Sequence, residues 1–158
     1  VPWERRGARN DEYIEAMRTL WSGPEVEFHG EFVDFPTVTC SPRPVQPTIP
    51  ILVGGDSEVA IRRAARLADG YFPGEGDVDR LAALITRVRQ AAEDAGRDPD
   101  EIEINAMFSA QMTDPVAGVE RFTELGVGRT MVPAFFFAGD GGLDRMDEFA
   151  GRAIAAGN

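Results

Sequence analysis

The 158-residue sequence contains no lysine, one cysteine and one histidine, so several kinds of chemistry drop out at the start. A single cysteine forms no internal disulfide, which removes the disulfide-stapled secreted class. One histidine rules out any metal centre built on several imidazoles. No apolar run approaches the roughly 20 residues that a membrane-spanning helix needs, and Val1–Gly7 carries no signal-peptide hydrophobic region. All positive charge rests on 16 arginines against 27 acidic residues, for a net charge of -11. A surface this acidic repels phosphate backbones and anionic lipid, so neither nucleic acid nor a membrane surface is an expected partner. What remains is a chain with 43% hydrophobic residues, enough for a folded domain with a core. The expected location is the cytoplasm.

The pattern of apolar residues sets the order of elements. Tyr13, Ile14, Met17, Leu20 and Trp21 fall at helical spacing, predicting a helix from about Asn10 to Trp21 capped by Asn10 or Asp11. Alternation in Val26–Phe28 and Glu31–Phe35 predicts a hairpin turning at His29-Gly30. Pro42, Pro44, Pro47 and Pro50 predict an extended connector. From there the chain alternates between strand and helix. Ile51–Val53 is wholly apolar, as expected of a strand buried on both faces, and Glu58–Ala68 is helical. Tyr71-Phe72 is a short strand, followed by a helix over Val78–Ala95 with Asp77 as cap and Gly96 as its stop. Ile102, Ile104, Ala106 and Phe108 alternate as a strand. Asp114-Pro115 opens a helix that Gly126 closes. Thr130–Phe136 is the fourth strand, and Leu143 to Ile154 the last helix.

Four strand–helix units joined by short loops imply an α/β fold with a parallel sheet and right-handed crossovers. The order suits either a doubly wound sheet or part of a (β/α)8 barrel. A complete barrel takes about 250 residues, so four units amount to half of one. The expected organisation is a partial barrel domain over 1–158: an N-terminal helix (1–24), a hairpin and proline-rich insertion (25–49), and four βα units (50–158).

Two loops are candidate sites. Ile51-Leu52-Val53-Gly54-Gly55-Asp56-Ser57 runs from a strand into a helix. There, glycines allow close backbone approach and unpaired amides carry partial positive charge. Such a turn is either a phosphate cradle or an ordinary capped βα turn, and it matches neither the P-loop nor GxGxxG. Asp56 and Glu58 oppose an anion unless their carboxylates point away. Gly139-Asp140-Gly141-Gly142 before the last helix is the second, read as a flexible loop. His29 at a hairpin turn reads as solvated, Cys40 as inert, and Arg62, Arg63 and Arg66 as a solvated face with a Glu58–Arg62 pair. Phe135–Phe137 read as core. Tyr71 and Phe72 divide between core and pocket wall.

Several segments together resemble the luciferase-like monooxygenases. They are Glu4-Arg5-Arg6-Gly7-Ala8-Arg9 before Asp11-Glu12-Tyr13 and Leu20-Trp21; Phe28-His29-Gly30-Glu31-Phe32; Pro42-Arg43-Pro44-Val45-Gln46-Pro47; Pro50 to Gly55; and Arg62 to Pro73. The nearest likeness is to the probable F420-dependent oxidoreductase branch. The resemblance implies a (β/α)8 barrel with coenzyme F420, or alternatively FMN, at the C-terminal ends of the strands, and hydride transfer to or from a small organic substrate. It further implies that Ile51–Val53 is the fifth strand, with Gly54, Gly55, Asp56, Ser57 and Val59 at the cofactor phosphate and Tyr71 near the cofactor. The family's first strands, which carry the polar residues facing the reactive ring, are absent from this sequence. It therefore implies the phosphate-holding half of the enzyme and no catalytic residue. The expected partner is the missing N-terminal half-barrel or a second copy. The alternative reading is a non-catalytic half-barrel module that self-associates.

Overall fold

The computed structural model describes residues 3–46 and 48–157. Pro47 of the proline connector, together with Val1, Pro2 and Asn158, lies outside the described residues. The chain divides into two compact units, one ending at Ile51 and one beginning at Leu52.

In the first unit, helix α1 spans Arg6–Ser22, starting four residues before the expected cap. No side chain caps it. Its first turns instead lean on the hairpin: Arg5 pairs with Glu31, and the guanidinium groups of Arg5 and Arg9 lie 4.9 and 5.0 Å from the Phe32 ring centroid. Of the predicted apolar stripe, Ile14 is buried, whereas Tyr13 and Met17 remain exposed.

The hairpin pairs β1 (Val26–His29) with β2 (Asp34–Val38). Its second strand begins three residues later than the alternation suggested. One carboxylate causes that shift: Glu12 accepts the amides of Glu31, Phe32 and Val33 at 3.1, 2.6 and 2.7 Å. Residues 30–33 are thereby bent into a turn and withheld from the strand ladder. Gly30 leaves room for this, because a Cβ there would fall 2.1 Å from Glu12 Oε1.

The second unit repeats strand and helix four times. Strands β3 (Leu52–Gly54), β4 (Gly70–Phe72), β5 (Glu103–Met107) and β6 (Val127–Met131) form one parallel sheet in sequential order. A doubly wound sheet reverses its strand order at a switch point; this one does not. Helices α2 (Glu58–Leu67), α3 (Val78–Asp94), α4 (Pro115–Glu124) and α5 (Gly142–Ala156) follow the strands in turn. The expected caps form: Asp77 accepts from the Arg80 amide and Asp114 from the Ala117 amide. Arg97 closes the other end of α2 by donating to the carbonyls of Ala65 and Ala68.

Register assigns the two faces of the sheet. Val53, Tyr71 and Ile104 are in line and buried with the helices' apolar stripes, which include Ile61, Leu81, Ile85 and Val88. Leu52, Phe72, Asn105, Arg129 and Met131 alternate onto the opposite face. Leu52 and Met131 are exposed there, so the expectation that Ile51–Val53 is buried on both faces fails. Leu52, Phe72 and Met131 make the open face mainly apolar, alongside Asn105, Thr130 and an Arg129–Glu103 ion pair at 3.3 Å, and it carries a cavity of about 340 Å³.

The predicted strand Thr130–Phe136 is also corrected. β6 ends at Met131, and Ala134–Phe137 coils into a 3-10 turn. Pro133 lacks the donor that would continue the ladder. Phe137 packs 5.7 Å from Phe149 of α5 but stays half-buried, and Phe135 is exposed, so the expectation that Phe135–Phe137 are core fails.

Candidate functional site

The loops that leave the carboxyl ends of β3, β4 and β5 are tied to one another by side chains. β3 ends at Gly54, and Gly55 adopts φ 110°, a conformation that L side chains rarely take. Its amide donates to the carbonyl of Phe72 at 3.3 Å, and its carbonyl accepts the Tyr71 hydroxyl at 3.0 Å. Asp56 turns its carboxylate to the Gly74 amide, 3.2 Å away in the β4–α3 loop. That loop is bound in turn to the β5–α4 loop by the buried Gln111, which donates to the Gly76 carbonyl and accepts from the Ser109 amide.

Ser57 caps helix α2, its hydroxyl oxygen accepting from the Ala60 amide at 3.3 Å. The turn is thus a capped βα turn, as one reading of the sequence had it. Capping leaves much of it unspent. Among the described residues, the amides of Asp56, Ser57, Glu58 and Val59 meet no protein acceptor. These are the orphan donors of a helix start, and they carry the positive end of the helix dipole. Val59 is exposed beside them.

The sequence raised an objection: two carboxylates flank the turn. Both are drawn elsewhere. Asp56 is taken up by Gly74, and Glu58 pairs with Arg87 of α3 at 2.5 Å and with Arg62, one turn further along α2, at 3.8 Å. The predicted Glu58–Arg62 pair is therefore present, in a groove of about 430 Å³ between α2 and α3. Arg87 and Gln111 were not singled out by sequence reasoning. Their partners lie 29 and 35 residues away in the chain, and no local spacing announces such contacts.

Tyr71 is fully buried on the helix side of the sheet, so it serves the turn through the Gly55 carbonyl rather than by facing a ligand. Burial, reinforced by the charge of Asp56, pushes its phenol up to about 12. Phe72 lines the open face. The second glycine-rich loop is closed by Arg145, which donates to the carbonyls of Asp140 and Ala138 at 2.8 Å each.

His29 lies apart, its Nδ1 2.6 Å from Asp34 Oδ1 with both groups exposed. That hydrogen bond raises the imidazole pKa above its ordinary value. Cys40 is a half-buried free thiol. Among the described residues no group of His, Cys, Asp and Glu could hold a metal ion, and no helix is long and apolar enough to cross a membrane.

A sequential parallel sheet with helices on one face, and a glycine turn feeding a helix start at its carboxyl end, defines an α/β protein of the strand–helix repeat class. Comparison with known proteins makes this specific. Residues 1–139 match the luciferase-like monooxygenase family, and the chain belongs to that family. It is 47% identical over 133 residues to an uncharacterized protein of Mycobacterium tuberculosis, covering 84% of this chain and 44% of that protein. It is 32% identical over 120 residues to the FMNH(2)-dependent dimethylsulfone monooxygenase of Pseudomonas putida, covering 73% of this chain and 33% of the enzyme. An F420-dependent glucose-6-phosphate dehydrogenase of Nakamurella multipartita is 34% identical over 102 residues, covering 63% of the chain and 30% of the enzyme.

Among solved structures, an F420-dependent secondary alcohol dehydrogenase superposes with a TM-score of 0.72 at 16% identity. The match covers 97% of this chain and 62% of that one, and it supports the fold. The chain thus spans less than half the length of the relatives it matches by sequence.

Proposed function

We propose that this chain is the C-terminal, phosphate-holding half of a (β/α)8 barrel in a flavin- or deazaflavin-dependent oxidoreductase, with coenzyme F420 as its cofactor and FMN as the alternative. The carrying observation is the β3–α2 turn. Among the described residues, four consecutive amides lack protein acceptors, and both neighbouring carboxylates are engaged away from them. The turn also fits the group sterically. Gly54 is exposed, and a Cβ there would lie 3.1 Å from the Phe72 carbonyl, so the backbone itself is the surface presented. Sequential strand order, two edge strands and an apolar open face agree with half of a barrel that needs another half.

When bound, the cofactor supplies hydride chemistry. The chain's own residues bind and orient it. Amides 56–59 donate to the phosphate, Ser57 adds a hydroxyl, and Val59 packs beside them. Tyr71 and Asp56 hold the turn in shape from behind. The substrate is a small organic molecule, and the groups that face it lie outside this chain. Fluorescence titration of F420 and FMN into the 158-residue chain tests the assignment, with riboflavin as the phosphate-free control. Gly55→Val should weaken both phosphorylated ligands at least tenfold and leave riboflavin unchanged. Equal affinities in the two chains would sink it.

The exposed Leu52 and Met131 favour one other reading, a non-catalytic module that pairs with itself across the open face. Light scattering separates the two: a dimer that binds neither cofactor supports the assembly role.

A further inference from the structure

We propose that Arg87 is a positioning residue for anion binding at the β3–α2 turn, acting through Glu58. The inference rests on the reading of that turn as the phosphate holder. It begins from a conflict. Glu58 is the first residue of α2, and a carboxylate there competes with any anion for the same amides and the same dipole. The structure resolves this across two helices. Arg87 reaches from the middle of α3 to Glu58 Oε2 at 2.5 Å, while Arg62 stands 3.8 Å from Oε1. Because Arg62 lies one turn further along α2, a carboxylate shared by these two cations is drawn back along the helix and away from its start. Its charge is offset at the same time.

Asp56 is occupied separately by Gly74, so Glu58 is the carboxylate whose placement Arg87 controls. The side chains of Arg87 and Glu58 are both about half exposed, so the pair adds little to fold stability. Its effect falls on the electrostatics of the turn. The separation of 29 residues makes this a device that exists only once α2 and α3 are packed together.

A charge cycle on the full 158-residue chain tests the proposal, with FMN and F420 as probes and riboflavin as the control, at low salt. Arg87→Ala should weaken both phosphorylated ligands about three- to fivefold, and Arg87→Lys should stay near the parent. Glu58→Gln added to Arg87→Ala should restore the affinity, since the unneutralised carboxylate is then gone. Raised salt should shrink the difference between Arg87→Ala and the parent. If Gly55→Val abolishes binding but Arg87→Ala leaves it unchanged, the role of Arg87 is refuted while the site stands. If neither variant has any effect, both are refuted. Loss in Arg87→Ala that Glu58→Gln does not restore would mean that Arg87 touches the ligand itself, which also overturns the positioning role. Circular dichroism melts that coincide across the set exclude misfolding as the cause.

Discussion

Two glycine-bearing loops lead from a strand towards a helix start in this chain, and they use their glycines differently. In Gly54-Gly55-Asp56-Ser57, the polar side chains brace the loop from outside. Asp56 holds a neighbouring loop, Ser57 takes one helix amide, and Tyr71 fastens a carbonyl. The remaining amides stay open. In Gly139-Asp140-Gly141-Gly142, the glycines serve backbone geometry. Gly139 and Gly141 adopt φ of 83° and 70°, and a Cβ on Gly142 would fall 1.9 Å from the Phe137 carbonyl. Its nearby cation, Arg145, is spent on two carbonyls of the loop, and no side chain caps α5. Glycine content alone therefore does not distinguish the proposed cradle from a tight turn. What distinguishes them is where the flanking charges have gone.

The strongest way to break this contrast is a paired substitution. Gly55→Val forces a β-branched residue to φ 110° with its Cβ 3.3 Å from Ala60. It should lose about 1–3 kcal/mol of stability along with the tenfold loss of cofactor affinity. Gly139→Ala meets nothing within 4 Å, so it should cost only about 1 kcal/mol from its left-handed backbone. Cofactor affinity should be untouched. Equal binding losses in both would erase the distinction.

Tyr71→Phe comes next. Removing a buried hydroxyl that donates to Gly55 should cost about 1 kcal/mol in a urea melt, and soften cofactor binding a few-fold. It also carries a pH signature. The phenol's folded value of about 12 lies above its ordinary 10.0, so the protonated form is favoured by folding. That stability is fully present below pH 10 and is lost as pH rises through 10 towards 12. The sequence has no lysine to titrate in this window. Wild type should therefore show an alkaline decline between pH 10 and 12 that Tyr71→Phe reduces. Identical profiles would show that the Tyr71 phenol is not held in a desolvated site beside Asp56 in solution.

Arg145→Ala should have a smaller effect. It loosens residues 138–141, raising their amide exchange, with less than about 1 kcal/mol of global change because the side chain is exposed. Cofactor affinity is expected to stay constant. The least change falls at His29. Its hydrogen bond to Asp34 raises the imidazole pKa, so an NMR titration should place its midpoint above 6.5, moving down in Asp34→Asn. The pair favours the folded state below that midpoint and is lost as pH rises through it. Both groups are largely exposed, so the melting temperature should hardly register it.

The βα alternation, the caps at Asp77 and Asp114, the glycine stop at Gly96 and the β3–α2 turn were legible because each is set within a few residues. A cap needs one side chain three residues from an amide, and a left-handed stop needs one glycine. Most of the errors fall where a distant residue intervenes, the exception being Thr130–Phe136, which Pro133 breaks from within. Glu12 takes three amides from the hairpin and delays its second strand, and Arg5 and Arg9 prolong α1 through Phe32. The apolar run Ile51–Val53 looked buried on both faces, because a sequence records which residues are apolar and not which face has found a partner.

The amino-acid order by itself thus determined the element types, the parallel α/β class and the position of the glycine turn, since hydrophobic period and local capping are short-range properties. Only tertiary structure decided which amides of that turn remain open. The carboxylates beside them are held by Gly74 and Arg87, 18 and 29 residues further on. Charge placement of that kind exists only when separate helices and loops have been brought within a few ångströms of one another.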